Sequence, residues 1–122
     1  MECRRLDSEK RMPLMSFMKS RQAIWMIPIP PFEPKAGEIR RVPIERQTEI
    51  VLDQMKLCLE TAGASMEDLV QLTVYCTTPA EFANVNKVYK RYFPKDYPAR
   101  MFCVVPTWPG PFDIEVDCVA AV

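Results

Sequence analysis

The second half of this 122-residue chain changes its hydrophobic period, and that change restricts the possible folds more than any other feature. From Glu45 to Ala62 the apolar residues recur at helical spacing, and Gly63 follows as a typical residue just beyond a helix end. From Leu69 to Cys76 apolar and polar residues alternate, as in a strand with one buried face. A helix followed by a strand predicts a mixed domain, either α+β or α/β.

A second helix is predicted from Pro79 to about Phe93. Thr78 can cap its first turn, and Glu81 can reach back to the N–H of the cap.

The strand predicted before this helix, Leu69 to Cys76, is expected to present Val70, Leu72, Val74 and Cys76 on one face.

Residues 100–105 and 112–121 are strand-like, and Trp108-Pro109-Gly110-Pro111 between them predicts a turn, so we expect a hairpin. Residues 23–27 could form another strand, with Pro28 and later prolines making an extended edge or loop. The pattern predicts one domain over residues 23–122, preceded by a segment, 1–22, that could be irregular.

Composition excludes several kinds of chemistry. The chain has no histidine, which excludes Ser-His-Asp, Cys-His and HExxH sites, and its zero net charge gives no general electrostatic argument for binding nucleic acid or membrane. The five cysteines form no CxxC pair, so we interpret them as reduced core residues of a cytoplasmic protein without a metal site. No apolar run approaches the roughly 18 residues of a membrane span, and the N-terminus lacks a convincing signal peptide.

The second predicted helix carries an aromatic stripe interrupted by an amide. Phe82, Asn86, Tyr89 and Phe93 lie at i, i+4, i+7 and i+11, on one face. The amide needs a partner, which could be a neighbouring backbone group or a polar group at a pocket or subunit boundary.

Arg100 opens a predicted strand and shares a face with Phe102 and Val104. Its planar guanidinium suits two-point binding of a carboxylate, although an arginine in this position is also commonly solvated or paired with an acid.

Three carboxylates, of Asp113, Glu115 and Asp117, share a face of the last predicted strand. They could form a plain acidic surface, or a partner chain could bury one and raise its pKa enough for proton exchange. In a simple hairpin Arg100 would face Val119, about 13 Å along the strands from Glu115. A site using both groups therefore suggests an oligomeric interface.

From about Gly37 onward the chain resembles the RidA (YjgF-like) family of enamine/imine deaminases. The resemblance rests on eight elements: Gly37-Glu38, Gln47-Thr48, Ala62-Gly63, Thr73-Val74-Tyr75, Phe82 with Val85-Asn86, Tyr89, Pro98-Ala99-Arg100 and Ile114-Glu115.

This resemblance implies an α+β, chorismate-mutase-like mixed sheet with two helices packed on one face, assembled as a homotrimer with sites between subunits. It implies cofactor-free hydrolysis of reactive enamines and imines such as 2-aminoacrylate and 2-iminopropanoate to the 2-oxo acid and ammonia. By position, Arg100 would hold the substrate carboxylate, Glu115 would orient or activate water, and Asn86 would line the cleft. Phe102 and Trp108 are further candidate substrate-binding residues.

The chain departs from the family pattern at three places. The family's N-terminal strand, with its small-residue and tyrosine pattern, is not recognisable in residues 1–22, so one wall of the cleft could be altered or missing. The other two departures are at positions that could contact substrate. Many members have a cysteine at the position of Phe102, and members usually carry Ser-Gly where this chain has Ile27-Pro28, which removes a hydroxyl and a backbone N–H. A catalytically weak trimer that binds small carboxylates or protein clients is therefore a second hypothesis. A monomeric structural domain is a third.

Overall fold

A computed structural model describes the chain except residues 1, 6–15, 20–22, 34, 36 and 108, and describes residues 2–5 and 16–19 by their backbone alone. Its elements along the chain are β1 (Glu2–Arg5), β2 (Ser16–Lys19), β3 (Ala23–Ile29), β4 (Phe32–Glu33), β5 (Glu38–Ile39), α1 (Ile44–Thr61), β6 (Leu69–Cys76), α2 (Phe82–Tyr92), β7 (Ala99–Val104) and β8 (Ile114–Ala121). This is the expected mixed α+β fold with two helices and a mixed sheet.

Six of the strands form one sheet in the order β1-β2-β3-β8-β6-β7. The pair β6 and β7 is parallel, and the other neighbours are antiparallel. Strand pairing thus extends into the first twenty residues, where the sequence shows no strand pattern. The strands β4 and β5 form a small separate hairpin.

The predicted hairpin between the last two strands is wrong, because β6 lies between β7 and β8. The chain leaves β6, crosses through α2 and returns parallel to β6 as β7, as a strand-helix-strand unit does. Strand β8 then pairs with the opposite edge of β6 and with β3.

The first helix is amphipathic, as its sequence predicts. Its apolar face is fully buried at Val51, Leu52, Met55, Cys58 and Leu59. It ends at Thr61, and Gly63 follows with a φ of 85°, a left-handed conformation that glycine adopts without steric cost.

The second helix begins as predicted with a cap from Thr78, whose Oγ1 accepts a hydrogen bond from the N–H of Ala80 at 3.3 Å. The first turn is a 3₁₀ turn, Pro79–Glu81, and α2 continues to Tyr92. The predicted return bond from Glu81 to the cap is replaced, since its carboxylate accepts from the side-chain amide of Asn84 at 2.8 Å.

Both helices pack on one face of the sheet. The strand β6 contributes Leu72, Val74 and Cys76 to this core, as predicted. Val70 was predicted on the same face but is 48% exposed, because a register irregularity between Leu69 and Gln71 turns it outward.

Three of the described cysteines, Cys58, Cys76 and Cys118, are buried free thiols, and Cys103 is a partly exposed one. Burial raises the pKa of the Cys58 thiol to about 12, so it stays protonated and packs as an apolar group. No helix in the described ranges is long and apolar enough to cross a membrane.

Candidate active site

Arg100 lies on β7, the edge strand, and its side chain points toward α2. Its Nη1 donates a hydrogen bond to Oδ1 of Asn86 at 2.6 Å. The guanidinium carbon lies 4.5 Å from the ring centre of Tyr89 and 5.5 Å from that of Phe82. Cation-π contacts and a hydrogen bond therefore fix one edge of the guanidinium and leave its other donors for a ligand.

The amide in the aromatic stripe of α2 thus has a side-chain partner. Phe82, Asn86 and Tyr89 were predicted to share one helix face, and all three contact Arg100. Asn86 can only accept from a guanidinium, so the contact fixes the orientation of its amide.

No carboxylate of the described residues forms an ion pair with Arg100. The ion pairs among the described residues join Arg40 with Glu38, Arg46 with Glu33 and Glu49, and Arg91 with Glu49. A partly buried guanidinium without an acidic partner favours an anion from outside the chain.

A cavity of about 210 Å³ opens beside this guanidinium. It is lined by Asn86, Tyr89, Lys90, Tyr97, Pro98 and Arg100. No acidic residue is in this lining, and two of its members are cations. The cavity can therefore hold a small anion with an apolar portion.

Phe102 lies next to Arg100 on the same strand face, as predicted. Its ring meets that of Phe82 edge to face, with centres 5.1 Å apart, so it supports the residue that lies over Arg100. Phe102 is not in the cavity lining. Trp108, the other candidate substrate-binding residue, lies outside the described residues.

Glu115 lies on β8 with its side chain on the sheet face opposite the helices. It is half-buried, and this burial raises the pKa of its carboxyl group. Its side chain makes no hydrogen bond or ion pair with any residue that the structure describes. A carboxyl group with these properties can exchange a proton nearer neutral pH than an exposed glutamate.

The other two carboxylates of the predicted acidic face have partners. Asp117 accepts a hydrogen bond from the hydroxyl of Tyr75 at 2.9 Å. Asp113 precedes the strand rather than lying in it, and its carboxylate accepts from Gln47 at 2.9 Å and Thr77 at 3.2 Å. Of the three, Glu115 is the one that remains free to act on a ligand.

Arg100 and Glu115 lie on opposite faces of the sheet within one chain. Strand β6 separates their two strands. Arg100 pairs with Leu72 of β6, whose side chain is buried under the helices, and Glu115 pairs with Tyr75 of β6, whose side chain points to the opposite face. Two strand spacings and three residues of offset place their Cα atoms about 14 Å apart. One protomer alone therefore does not bring the two groups together.

Ile27-Pro28, where the family usually has Ser-Gly, belongs to the Glu115 side. Strand β3 pairs with β8, and the register shifts between Met26 and Ile29, so Pro28 lies in an irregular part of the ladder. Such a position tolerates the missing N–H of proline. Ile27 is 48% exposed on the open face.

The sequence reasoning missed two further residues around Arg100. Tyr97 and Lys90 line the cavity, but Tyr97 lies in a loop without periodic pattern, and Lys90 reads as an ordinary exposed helix residue. Among the described residues no cluster of three or more cysteine, aspartate or glutamate side chains could hold a metal ion.

Comparison with known proteins identifies the family. A family model described as Endoribonuclease L-PSP matches residues 27–122. A RutC family protein of Pyrococcus abyssi is 40% identical over 90 residues, which is 74% of this chain and 71% of that protein. Reactive Intermediate Deaminase A, chloroplastic, of Arabidopsis thaliana is 31% identical over 108 residues, 88% of this chain and 58% of that one.

This chain belongs to the RidA family. The predicted family is therefore confirmed. The crystal structure of TdcF from Escherichia coli with bound serine has a TM-score of 0.81 at 27% identity, covering 87% of this chain and 85% of that one. The RidA fold accounts for the mixed sheet and its two helices, and relatives named as deaminases support a hydrolase or deaminase role at the level of the family.

Proposed function

We propose that this protein is a cofactor-free hydrolytic deaminase of reactive small enamines and imines, of the 2-aminoacrylate and 2-iminopropanoate type, which it converts to the 2-oxo acid and ammonia. The observation that carries this proposal is the partly buried guanidinium of Arg100, which opens on a cavity and has no acidic partner among the described residues. A guanidinium of this kind fits a carboxylate, and relatives named as reactive intermediate deaminases support deamination of the acid that it would hold.

Arg100 would bind the substrate carboxylate through donors that Asn86 does not use. Two parallel N–H···O bonds fix both the position and the plane of a carboxylate, so the imine carbon is held in one orientation. TdcF is a relative whose structure contains serine, which has the same carboxylate-bearing carbon skeleton as 2-aminoacrylate.

Glu115 would act on the attacking water. As a carboxylate it accepts a proton from water while the water oxygen bonds to the carbon of the protonated imine, and the C=N π electrons move to nitrogen, which yields a carbinolamine. Glu115 then returns the proton to the nitrogen. The C–N bond breaks as the hydroxyl group forms the C=O of the 2-oxo acid, and its proton passes to the released ammonia or to Glu115. The raised pKa of Glu115 suits this exchange, because a stronger base takes the proton from water more readily.

We also propose a homotrimer in which the sites lie between subunits. The opposite positions of Arg100 and Glu115 support this assembly, because a second copy can bring its Glu115 to the Arg100 of the first. The open face of the sheet also carries exposed Trp25, Ile27 and Met101, which a neighbouring copy would cover. Size-exclusion chromatography with light scattering tests the trimer, and a monomer mass would contradict it.

The free thiols at the four described cysteines support a reducing, cytoplasmic location, which we propose for the protein. Fractionation of the source cells would test it.

The activity test uses 2-aminoacrylate generated in the assay. The protein is expected to speed its conversion to pyruvate, and Arg100→Ala is expected to lower kcat/KM about 100-fold, because two charge-assisted hydrogen bonds are lost. Arg40→Ala, which changes an exposed arginine outside the cavity, is the matched control. Unchanged activity of Arg100→Ala in the intact oligomer would contradict the proposal.

The second candidate function is a catalytically weak trimer that binds small carboxylates or clients. Pro28 favours it, because the backbone at that position cannot donate a hydrogen bond on the Glu115 side of the site. The double substitution Ile27→Ser with Pro28→Gly tests it. A large gain from negligible turnover would favour the binding protein, and strong activity of the unchanged chain would exclude it.

A further inference from the structure

The cavity beside Arg100 is larger than the smallest substrates need. The cavity has a volume of about 210 Å³, and a water molecule occupies about 30 Å³, so the cavity has space for about seven water-sized groups. A three-carbon imino acid has six non-hydrogen atoms, fewer than this, and a longer side chain can extend through the opening beside Tyr97, which is 55% exposed. Space remains for a larger side chain.

The walls of this remaining space are aromatic. The rings of Tyr89 and Tyr97 are nearly parallel, at 11°, with centres 6.2 Å apart. Pro98 completes the apolar lining, and Tyr97 is 55% exposed at the mouth, where a ligand ring can pack against it. Aromatic rings pair favourably at centre distances of about 4.5 to 7 Å.

A second, independent observation indicates that a polar ligand completes this site. Tyr89 is 4% exposed, and its hydroxyl is buried without a hydrogen-bond partner among the described residues. Buried hydroxyls are nearly always bonded, and burial raises the pKa of this one, so it remains a donor. A carboxylate on Arg100, 4.5 Å from the ring of Tyr89, would bring acceptor oxygens to this region.

We propose that the cavity selects 2-imino acids with an aromatic side chain, and that Tyr97 is the residue that determines this preference. The inference rests on the proposed function and names the substrate class of the same site. Lys90 at the rim adds a second positive charge that attracts the carboxylate of any such acid without distinguishing among side chains.

Ligand binding and turnover test the inference separately. Titration calorimetry on the full chain with phenylpyruvate and pyruvate, the stable products, is expected to show about tenfold tighter binding of phenylpyruvate. The imines of phenylalanine and alanine, generated by an amino-acid oxidase, are expected to show the same order in kcat/KM.

Variants locate the preference. Tyr97→Ala is expected to bring the affinity ratio of the two 2-oxo acids to within about twofold, whereas Tyr97→Phe keeps the ring and should keep the ratio. Tyr89→Phe should weaken both ligands several-fold. Its matched control is Tyr92→Phe, since Tyr92 lies on α2 but outside the cavity and donates to Asp53.

The outcomes distinguish the two proposals. Equal binding and equal turnover of the two substrates, or a preference that survives in Tyr97→Ala, would overturn the inference and leave the deaminase proposal standing. Binding preference without hydrolysis of either imine would overturn the deaminase proposal while supporting the assignment of the cavity.

Discussion

At the scale of single residues, the ionisation of Glu115 links activity to stability. Burial raises the pKa of its carboxyl group, so the folded protein holds this proton more tightly than the unfolded chain does. The stability that this group contributes is therefore fully present below the ordinary glutamate pKa. It is lost as the pH rises through the raised value.

Glu115→Gln is accordingly expected to raise the melting temperature at pH 7 to 8 relative to the unchanged protein, and the difference should vanish toward about pH 4. Thermal scans at several pH values and one protein concentration check this. A variant that is less stable than the unchanged protein at pH 8 would mean that the charged form is not penalised.

The same substitution is expected to reduce kcat by about 10²- to 10⁴-fold, the usual contribution of a general acid or base. The unchanged protein should lose activity on the acid side with an apparent pKa above that of a free glutamate, and Glu115→Gln should lack this limb in its residual rate. A pH profile with the same acid limb in both proteins would assign the limb to another group.

Asp117→Asn is the matched control for Glu115→Gln. Asp117 lies two residues along the same strand face but accepts a hydrogen bond from Tyr75, so its carboxylate has a structural partner. We expect a smaller loss of kcat in this variant. An equal loss would indicate that the acidic face acts as a whole.

At the scale of elements, the buried amide of Gln47 connects three segments. It donates to the carbonyl of Val42 at 2.8 Å and to the carboxylate of Asp113 at 2.9 Å, and its Oε1 accepts from the N–H of Asp113 at 2.8 Å. Thr77, just beyond β6, also bonds to Asp113. These contacts hold the start of β8 and thereby the strand that carries Glu115.

Gln47→Leu is expected to lower the free energy of unfolding by about 2 to 3 kcal/mol, because it leaves buried polar groups without partners. Gln54→Leu provides the comparison. Gln54 is equally buried, but only its Nε2 is bonded, to the carbonyl of Phe32, and its Oε1 has no partner among the described residues, so the loss should be about 1 kcal/mol. Urea denaturation at fixed protein concentration measures both, and equal losses would contradict the role of the Gln47 contacts.

The local sequence pattern predicted where helices and strands form, but not which strands pair with each other in the sheet. Helix α1, strand β6 and the cap at Thr78 follow from periodicity and capping chemistry, which depend on residues close in the chain. The hairpin prediction failed because β6, thirty residues earlier, enters between β7 and β8, and nothing within residues 100–121 records that insertion. The buried face of β6 was predicted correctly at Leu72, Val74 and Cys76, since alternation does not depend on the partner strand. The prediction failed at Val70, because the register irregularity between Leu69 and Gln71 interrupts the alternation.

The candidate site likewise contains residues that local pattern predicted and residues that it did not. Spacing on α2 placed Asn86 beside two aromatic residues, and the structure adds that Arg100 is their common partner. Tyr97 could not be predicted, because its position in the cavity depends on the loop between α2 and β7 rather than on a period.

At the scale of the whole molecule, the sheet separates two groups of residues that the proposed reaction needs together. Arg100 and Asn86 lie on the helix side, and Glu115 and Ile27 lie on the open side. The proposed reaction therefore needs each site to take its guanidinium from one protomer and its carboxylate from another. Sharing of the site between protomers is the central claim about this molecule.

Mixed oligomers test that claim most directly. Arg100→Ala and Glu115→Ala chains are each expected to keep at most about 1% of the activity as pure oligomers. The two variants are combined by co-expression or by unfolding and refolding together. The measurement is the rate of pyruvate formation from 2-aminoacrylate by the mixture. We predict that activity returns to a substantial fraction of the unchanged protein, because some interfaces then pair an intact Arg100 with an intact Glu115 from the other chain. A mixture in which mixed oligomers form and remain as inactive as the two pure variants would contradict the account.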